Sequence, residues 1–152
     1  MVDFLVIGPY NAITYNEVFP LFKDDDVGFG WNRIVEFENG VKFGNIRWFS
    51  NISDYYPPPL VLSKRYDDGY KKFDNYDAIN IDRIKDIPGD YMGLIGVPIT
   101  FLDSYNKRQF DIVGFLNNGC RLDENGLQGN NGIQMTLVGG VCKYFRILIK
   151  KK

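Results

Sequence analysis

The sequence predicts an α/β fold in two parts, an opening piece of sheet with a helix against it and then a β-rich region. Three observations carry that expectation. The chain starts almost at once on an apolar run, Phe4-Leu5-Val6-Ile7-Gly8, stopped by Gly8-Pro9, which reads as a strand buried on both faces. A helical pattern follows it directly. Beyond Pro57-Pro58-Pro59 the apolar runs are short, extended and separated by turn residues. A doubly buried strand needs neighbours, so the chain reads as if it begins inside a larger fold.

The first helix is expected over roughly 14–23. Thr14 and Glu17 have capping-box spacing, and Tyr15, Val18, Phe19 and Phe22 recur at helical intervals that point them at the sheet. Pro20 is expected to kink or shorten it, and Asp24-Asp25-Asp26 belongs to the loop, since acids oppose the dipole at a helix C-terminus. Val27 to Trp31 reads as a short strand, Glu38-Asn39-Gly40 as a reversing turn, and Ile46 to Ile52 as another strand. The proline run places a boundary near 53–59, because proline fixes φ and forces the residue before it into extended backbone.

Past that boundary Leu60 to Ser63, Ala78 to Ile81 and Phe110 to Phe115 read as strands. Asp86 to Asp90 is turn-like, and Leu94 to Leu102 is apolar but interrupted by Pro98. Asn117 to Gly132 is rich in glycine and asparagine and is expected to be a loop. Ile133 to Val138 and Val141 to Ile149 flank Gly139-Gly140, a two-residue hairpin signal.

The bulk numbers exclude several classes. Of 152 residues 45% are hydrophobic and 16% aromatic, enough for a core and against a disordered chain. With 18 basic and 19 acidic side chains and a net charge of −1, the chain lacks the strongly basic balance of a small dedicated nucleic-acid binder, although charge can still gather on one face. There is no histidine, which removes Ser-His-Asp and Cys-His catalysis and the usual zinc sites. Cys120 and Cys142 are too few and too far apart for a disulfide framework, so a reducing, cytoplasmic setting is expected. No apolar run approaches the ~20 residues of a membrane span.

Candidate sites are weighed against plainer readings. Tyr56 precedes Pro57-Pro58-Pro59 where an amino-methyltransferase motif needs an Asn or Asp acceptor, so the prolines read as a turn. Gly28-Phe29-Gly30 lacks the strand-to-helix context of a nucleotide loop. The carboxylate runs, such as Asp67-Asp68 and Asp74 with Asp77, have no EF-hand spacing and read as solvated loops. Lys64-Arg65-Tyr66, followed by Tyr70, Lys71, Lys72 and Phe73, interleaves cations with aromatics as phosphate and base contacts require. Lys107-Arg108 is a second basic candidate. Lys150-Lys151-Lys152 reads as a solvated end.

Four strings then stand together: FLVIGPYNAITYNEVFPLFK over 4–23, NIRWFSNI over 45–52, FDNYDAINIDRIKDIPGDYMGLIGVPITFLDSYN over 73–106 and FRILIKKK over 145–152. In this order they resemble the EcoRI-type adenine-specific DNA methyltransferases. The resemblance implies methyl transfer from S-adenosylmethionine to adenine N6 in double-stranded DNA, with the base flipped from the stack. It implies a C-terminal part of a Rossmann-like methyltransferase sheet over 1–53 and a family-specific, β-rich recognition region over 54–152. Phe4 to Gly8 then resembles the fifth strand, and the segments near 27–31 and 46–52 the last two, an antiparallel edge.

The family's glycine loop for the cofactor and its Asn-Pro-Pro-Phe motif have no counterpart in these residues. No catalytic, cofactor-binding or metal residue is therefore assigned, and the chain alone is expected to be inactive and to bind no S-adenosylmethionine. DNA contacts are expected at Lys64, Arg65, Tyr66, Lys107 and Arg108. The competing reading is a stand-alone, non-catalytic β-rich module that binds DNA or protein. Self-association through an exposed sheet edge is a further expectation.

Overall fold

The computed structural model describes residues 2–30, 36–42, 44–52, 56–116 and 136–152, and the backbone alone at 120–123 and 126–129. The expected strand ends at Trp31 and Ile133 lie outside the described residues. The chain is mixed α/β with little helix, and it divides into two compact units, Met1–Tyr56 and Pro57–Lys152. No helix among the described residues is long and apolar enough to cross a membrane.

In the first unit, β1 (Leu5–Pro9), β2 (Gly28–Phe29) and β3 (Ile46–Ser50) form a sheet in the order β1-β3-β2 among the described residues. Both outer strands run antiparallel to β3, so β1 and β2 are parallel to each other and the segment between them is a crossover. That segment is shorter in helix than the periodicity predicts. A 3-10 turn covers Tyr10–Thr14, and α1 covers only Phe19–Lys23.

The capping box is not formed, because Thr14 donates its hydroxyl to Asn11 O at 2.8 Å. Pro20 instead sits in the first turn of α1, where its missing N–H has no helical partner to lose. It starts the helix rather than kinking it. Phe19 and Phe22 are buried as expected, but Tyr15 precedes the helix and is 55% exposed. One face of the sheet is closed by rings: Phe22 and Phe29 pack on Phe49 at 5.8 and 5.6 Å, and the buried Arg47 guanidinium lies 4.5 Å over the Tyr10 ring. The Glu38-Asn39-Gly40 turn forms, with Gly40 at φ 77° and Phe37 N–H donating to Val41 O.

The expectation of a doubly buried first strand is overturned. Leu5, Val6 and Ile7 are 54%, 50% and 45% exposed, and among the described residues β1 has a neighbouring strand on one side only.

The second unit is built on β4 (Lys72–Phe73), β5 (Tyr76–Asn80), β6 (Leu94–Pro98), β7 (Phe110–Leu116) and β12 (Arg146–Lys151), ordered β4-β5-β6-β12-β7. β5 and β6 are parallel, and β12 runs antiparallel to both β6 and β7. Arg146 through Ile149 are all buried, as a strand with sheet on both sides and cover on both faces requires. The register aligns Ile147 with Val97, and Ile149 with Ile95 and Ile112. On the opposite face Phe73, Ala78, Leu116, Val138 and Leu148 form one cluster. Lys150 and Lys151, expected as a solvated end, are paired residues of β12.

Leu60 to Ser63 forms no strand. The expected loop at 117–132 instead contains an antiparallel pair, β8 (Cys120–Asp123) with β9 (Gly126–Gly129). Glycine content lowered the expectation of a strand there, but a local ladder needs only main-chain groups in register. Cys142 is disulfide-bonded.

The Gly139-Gly140 hairpin joins β10 (Leu137–Val138) to β11 (Val141–Cys142). Both glycines have positive φ, 58° and 74°, the pair of values that a tight hairpin turn demands. Their two N–H groups donate to the two oxygens of Asp74 at 2.7 Å each, and the bonds from Gly140 and Gly139 lower the Asp74 pKa.

Two expected outcomes test this packing. A Cβ at Gly96 would lie 2.5 Å from the Phe73 ring, while at Gly114 it meets nothing within 4 Å. Gly96→Ala should lower stability by about 1–3 kcal/mol and Gly114→Ala by less than about 0.5, read from urea midpoints. Because the folded pKa of Asp74 is lowered, its contribution is present above the ordinary value of 3.8 and lost as pH falls through the folded one. Asp74→Asn, with one acceptor for two donors, should therefore be less stable at neutral pH and lose less between neutrality and acid below that value.

Candidate nucleic-acid interface

The basic candidates are set by one extended segment at the start of the second unit. At its near end the Gln109 amide clamps the main chain of Leu60, accepting its N–H at 2.7 Å and donating to its carbonyl at 2.8 Å. At its far end Lys64 bridges to Pro88, and Gly89 N–H donates to Lys64 O at 2.9 Å. No room exists for a side chain at the crossing, since a Cβ at Gly89 would lie 3.0 Å from Leu62 O. Lys64 and Arg65 are exposed, and no ion pair is formed by either among the described residues.

Tyr66 is held rather than displayed. Its N–H donates to Asp90 at 2.7 Å, and its ring packs on Tyr91 at 4.6 Å and on Tyr70 at 5.6 Å. The Tyr70 hydroxyl donates to Asp86 O at 2.9 Å. Burial, then the charges of Asp67, Asp86 and Asp90, raise its pKa. Lys72, which the sequence placed in the same basic stretch, pairs with Asp77 at 2.9 Å and so offers less free charge.

Lys107 and Arg108 lie in the turn that leads to Gln109. The turn is fixed by the Asn106 side chain, whose Oδ1 accepts Arg108 N–H at 2.9 Å and whose Nδ2 donates to Pro57 O at 2.6 Å. The two basic pairs thus stand near opposite ends of the same segment, Leu60 to Lys64. Four extended residue steps span at most about 14 Å.

The end of β12 adds cations that sequence reasoning missed. The Lys151 ammonium donates to Gly89 O, and Lys152 N–H donates to Gln109 O at 3.0 Å while its ammonium pairs with Asp111 at 3.0 Å. The signal was present in FRILIKKK: an apolar strand pattern running directly into the lysines. Arg146 was also missed. Its buried guanidinium donates to Asn80 at 3.0 Å, to Asp82 at 2.8 Å and to the Tyr144 and Phe145 carbonyls. Burial raises the Asp82 pKa, but bonds from Asn80 and Arg146 and the charge of Lys143 outweigh it, and the net shift is downward. This cluster ties β5 to β12. Among the described residues no group of carboxylates and thiols gathers as a metal site would require.

Comparison with known proteins gives a consistent result. The family described as adenine-specific methyltransferase EcoRI matches residues 32–152. Type II methyltransferase M.EcoRI of Escherichia coli is 35% identical over 98% of this chain and 50% of its own length. M.MgeORF184P of Mycoplasma genitalium is 35% identical over 99% of the chain and 57% of its own. M.MpnI of Mycoplasma pneumoniae is 31% identical, also over 99% and 57%. The chain therefore spans about half the length of the curated relatives it matches. No solved structure matches it.

If the Gln109 clamp positions the basic segment, Gln109→Leu should release it. Two lost hydrogen bonds should speed amide exchange at Leu60 by on the order of tenfold or more, with Ile147 unchanged.

Proposed function

The chain belongs to the family of EcoRI-type adenine-specific methyltransferases, and on that premise we propose that it forms the latter part of a Type II DNA methyltransferase acting on adenine N6. The observation that carries the reading is identity of 31–35% along 98–99% of the chain. The β1-β3-β2 order supports it further. A crossover pair with a later strand inserted antiparallel between them suits the closing edge of a Rossmann-like sheet, with β1, β2 and β3 as its fifth, sixth and seventh strands.

In this reading the first unit completes the methyltransferase sheet and the second contacts duplex DNA. S-adenosylmethionine is the methyl donor of the whole enzyme. Lys64, Arg65, Lys107 and Arg108 take phosphates. Tyr66 positions the pair before it through its bond to Asp90 and its ring contacts. Phosphate contacts of this kind set register while a target base is extruded.

Methyl transfer needs a seat for the donor and an acceptor aligned on the amine. The motif that would supply the acceptor, Asn-Pro-Pro-Phe, does not occur in these residues, so the chain by itself transfers no methyl group. Robust methylation of unmodified duplex DNA by the purified chain would refute that part.

DNA contact is tested by the salt dependence of binding. Lys64→Ala with Arg65→Ala should make the slope of log K against log salt shallower by roughly 1.8, about 0.9 for each lost phosphate contact. Lys107→Ala with Arg108→Ala should do the same, and Lys72→Ala should change it little. Unchanged slopes in both double variants would remove these residues from the interface.

A further inference from the structure

One apolar side chain of the second unit is given over to solvent. Val61 is 92% exposed, although valine is among the residues most often buried, so it contributes almost nothing to the core. The main chain around it, by contrast, is held on both sides. The Asn106 side chain donates to Pro57 O at 2.6 Å, and the Gln109 amide holds both main-chain groups of Leu60, the residue directly before Val61. Beyond Val61, Gly89 N–H donates to Lys64 O at 2.9 Å.

The direction of the side chain follows from its neighbour. A Cβ at Gly89 would lie 3.2 Å from Leu62 Cβ, so Leu62 faces the Gly89 crossing. Successive side chains of an extended segment alternate, and Val61 and Ser63 turn to the other side, where both are exposed. A β-branched side chain is stiff at χ1. Val61 is therefore presented in a fixed place, and binding against it costs little further ordering.

Its surroundings select a partner. Asn106 and Gln109, the two side chains that grip the segment before Val61, flank Lys107 and Arg108 in sequence, and Lys64 and Arg65 follow Val61 along the segment. A fixed apolar tip between two basic pairs suits a polyanion that also carries an apolar group at its surface. Duplex DNA carries one on its base edges, the C5-methyl group of thymine in the major groove.

We infer that Val61 is a specificity-determining residue that packs on the C5-methyl group of a thymine. This rests on the reading that the second unit contacts duplex DNA, and it deepens that reading by naming a base and the group on it that is read. Phosphate contacts carry no sequence information directly; Val61 supplies it without a hydrogen bond, by taking methyl groups of protein and base out of water together.

Duplexes with a random central tract are selected on the purified chain, and the recovered sequence is resynthesised with uracil, which lacks only the methyl group, in place of each thymine in turn. Selection should return a thymine at a fixed position, and uracil there should weaken binding about fourfold, the worth of one buried methyl group. Val61→Ala should bind the thymine and uracil duplexes equally. Its salt slope should match that of the unsubstituted chain, because no phosphate contact is lost, and unchanged amide exchange at Leu60 should show the segment still in place. Val141→Ala, at a valine 61% exposed on β11, should keep the discrimination. A recovered sequence without a fixed thymine, or equal binding of the two duplexes by the unsubstituted chain, would overturn the contact. Discrimination that survives in Val61→Ala would overturn it too. Any of these results with salt-dependent binding intact removes the thymine contact alone. Unchanged slopes in both lysine–arginine double variants, with discrimination still lost in Val61→Ala, remove the phosphate contacts alone. A chain that binds no duplex overturns both.

Discussion

The second unit is organised by a strand that comes last in sequence and sits inside its sheet. β12 holds β6 on one side and β7 on the other, and four successive residues, Arg146 to Ile149, are buried there. Every other feature of the unit leans on it. Arg146 reaches across to Asn80 and Asp82 beside β5, Leu148 joins the cluster with Phe73 and Val138, and Lys151 and Lys152 fasten the Gly89 and Gln109 ends of the basic segment. A charge buried as deeply as that of Arg146 is tolerable because each of its three nitrogens donates to an oxygen.

The first unit obeys a different constraint. Its ring cluster packs on one face, while among the described residues β1 pairs with a strand on one side only.

Much of this was legible in the sequence where chemistry is local. Glu38-Asn39-Gly40 and Gly139-Gly140 are turns because glycine alone enters positive φ freely, and β3, β5 and β7 follow apolar extended runs. The misreadings share one cause, the neglect of neighbours. Periodicity placed Tyr15 on a helix that begins four residues later, where Pro20 can occupy the first turn. Hydrophobicity places Leu5, Val6 and Ile7 in a core, but among the described residues their cover is only partial. The terminal lysines are solvated as expected at Lys150 and Lys152, but their place in the sheet was hidden because their strand partners lie about forty residues earlier. In the candidate interface the basic residues were visible as charge, but the Gln109 clamp and the Asn106 bonds were not. An amide side chain reveals its partner only in three dimensions.

The position of β12 also sets an order of events during synthesis. Strands β6 and β7 do not pair with each other; each waits for residues 146–151. On a ribosome adding roughly 5–20 residues per second, the hydrophobic faces of Ile95, Val97, Phe110 and Ile112 must remain uncovered for several seconds until those final residues emerge. The sheet of the second unit therefore closes only once residues 146–151 are in place between β6 and β7.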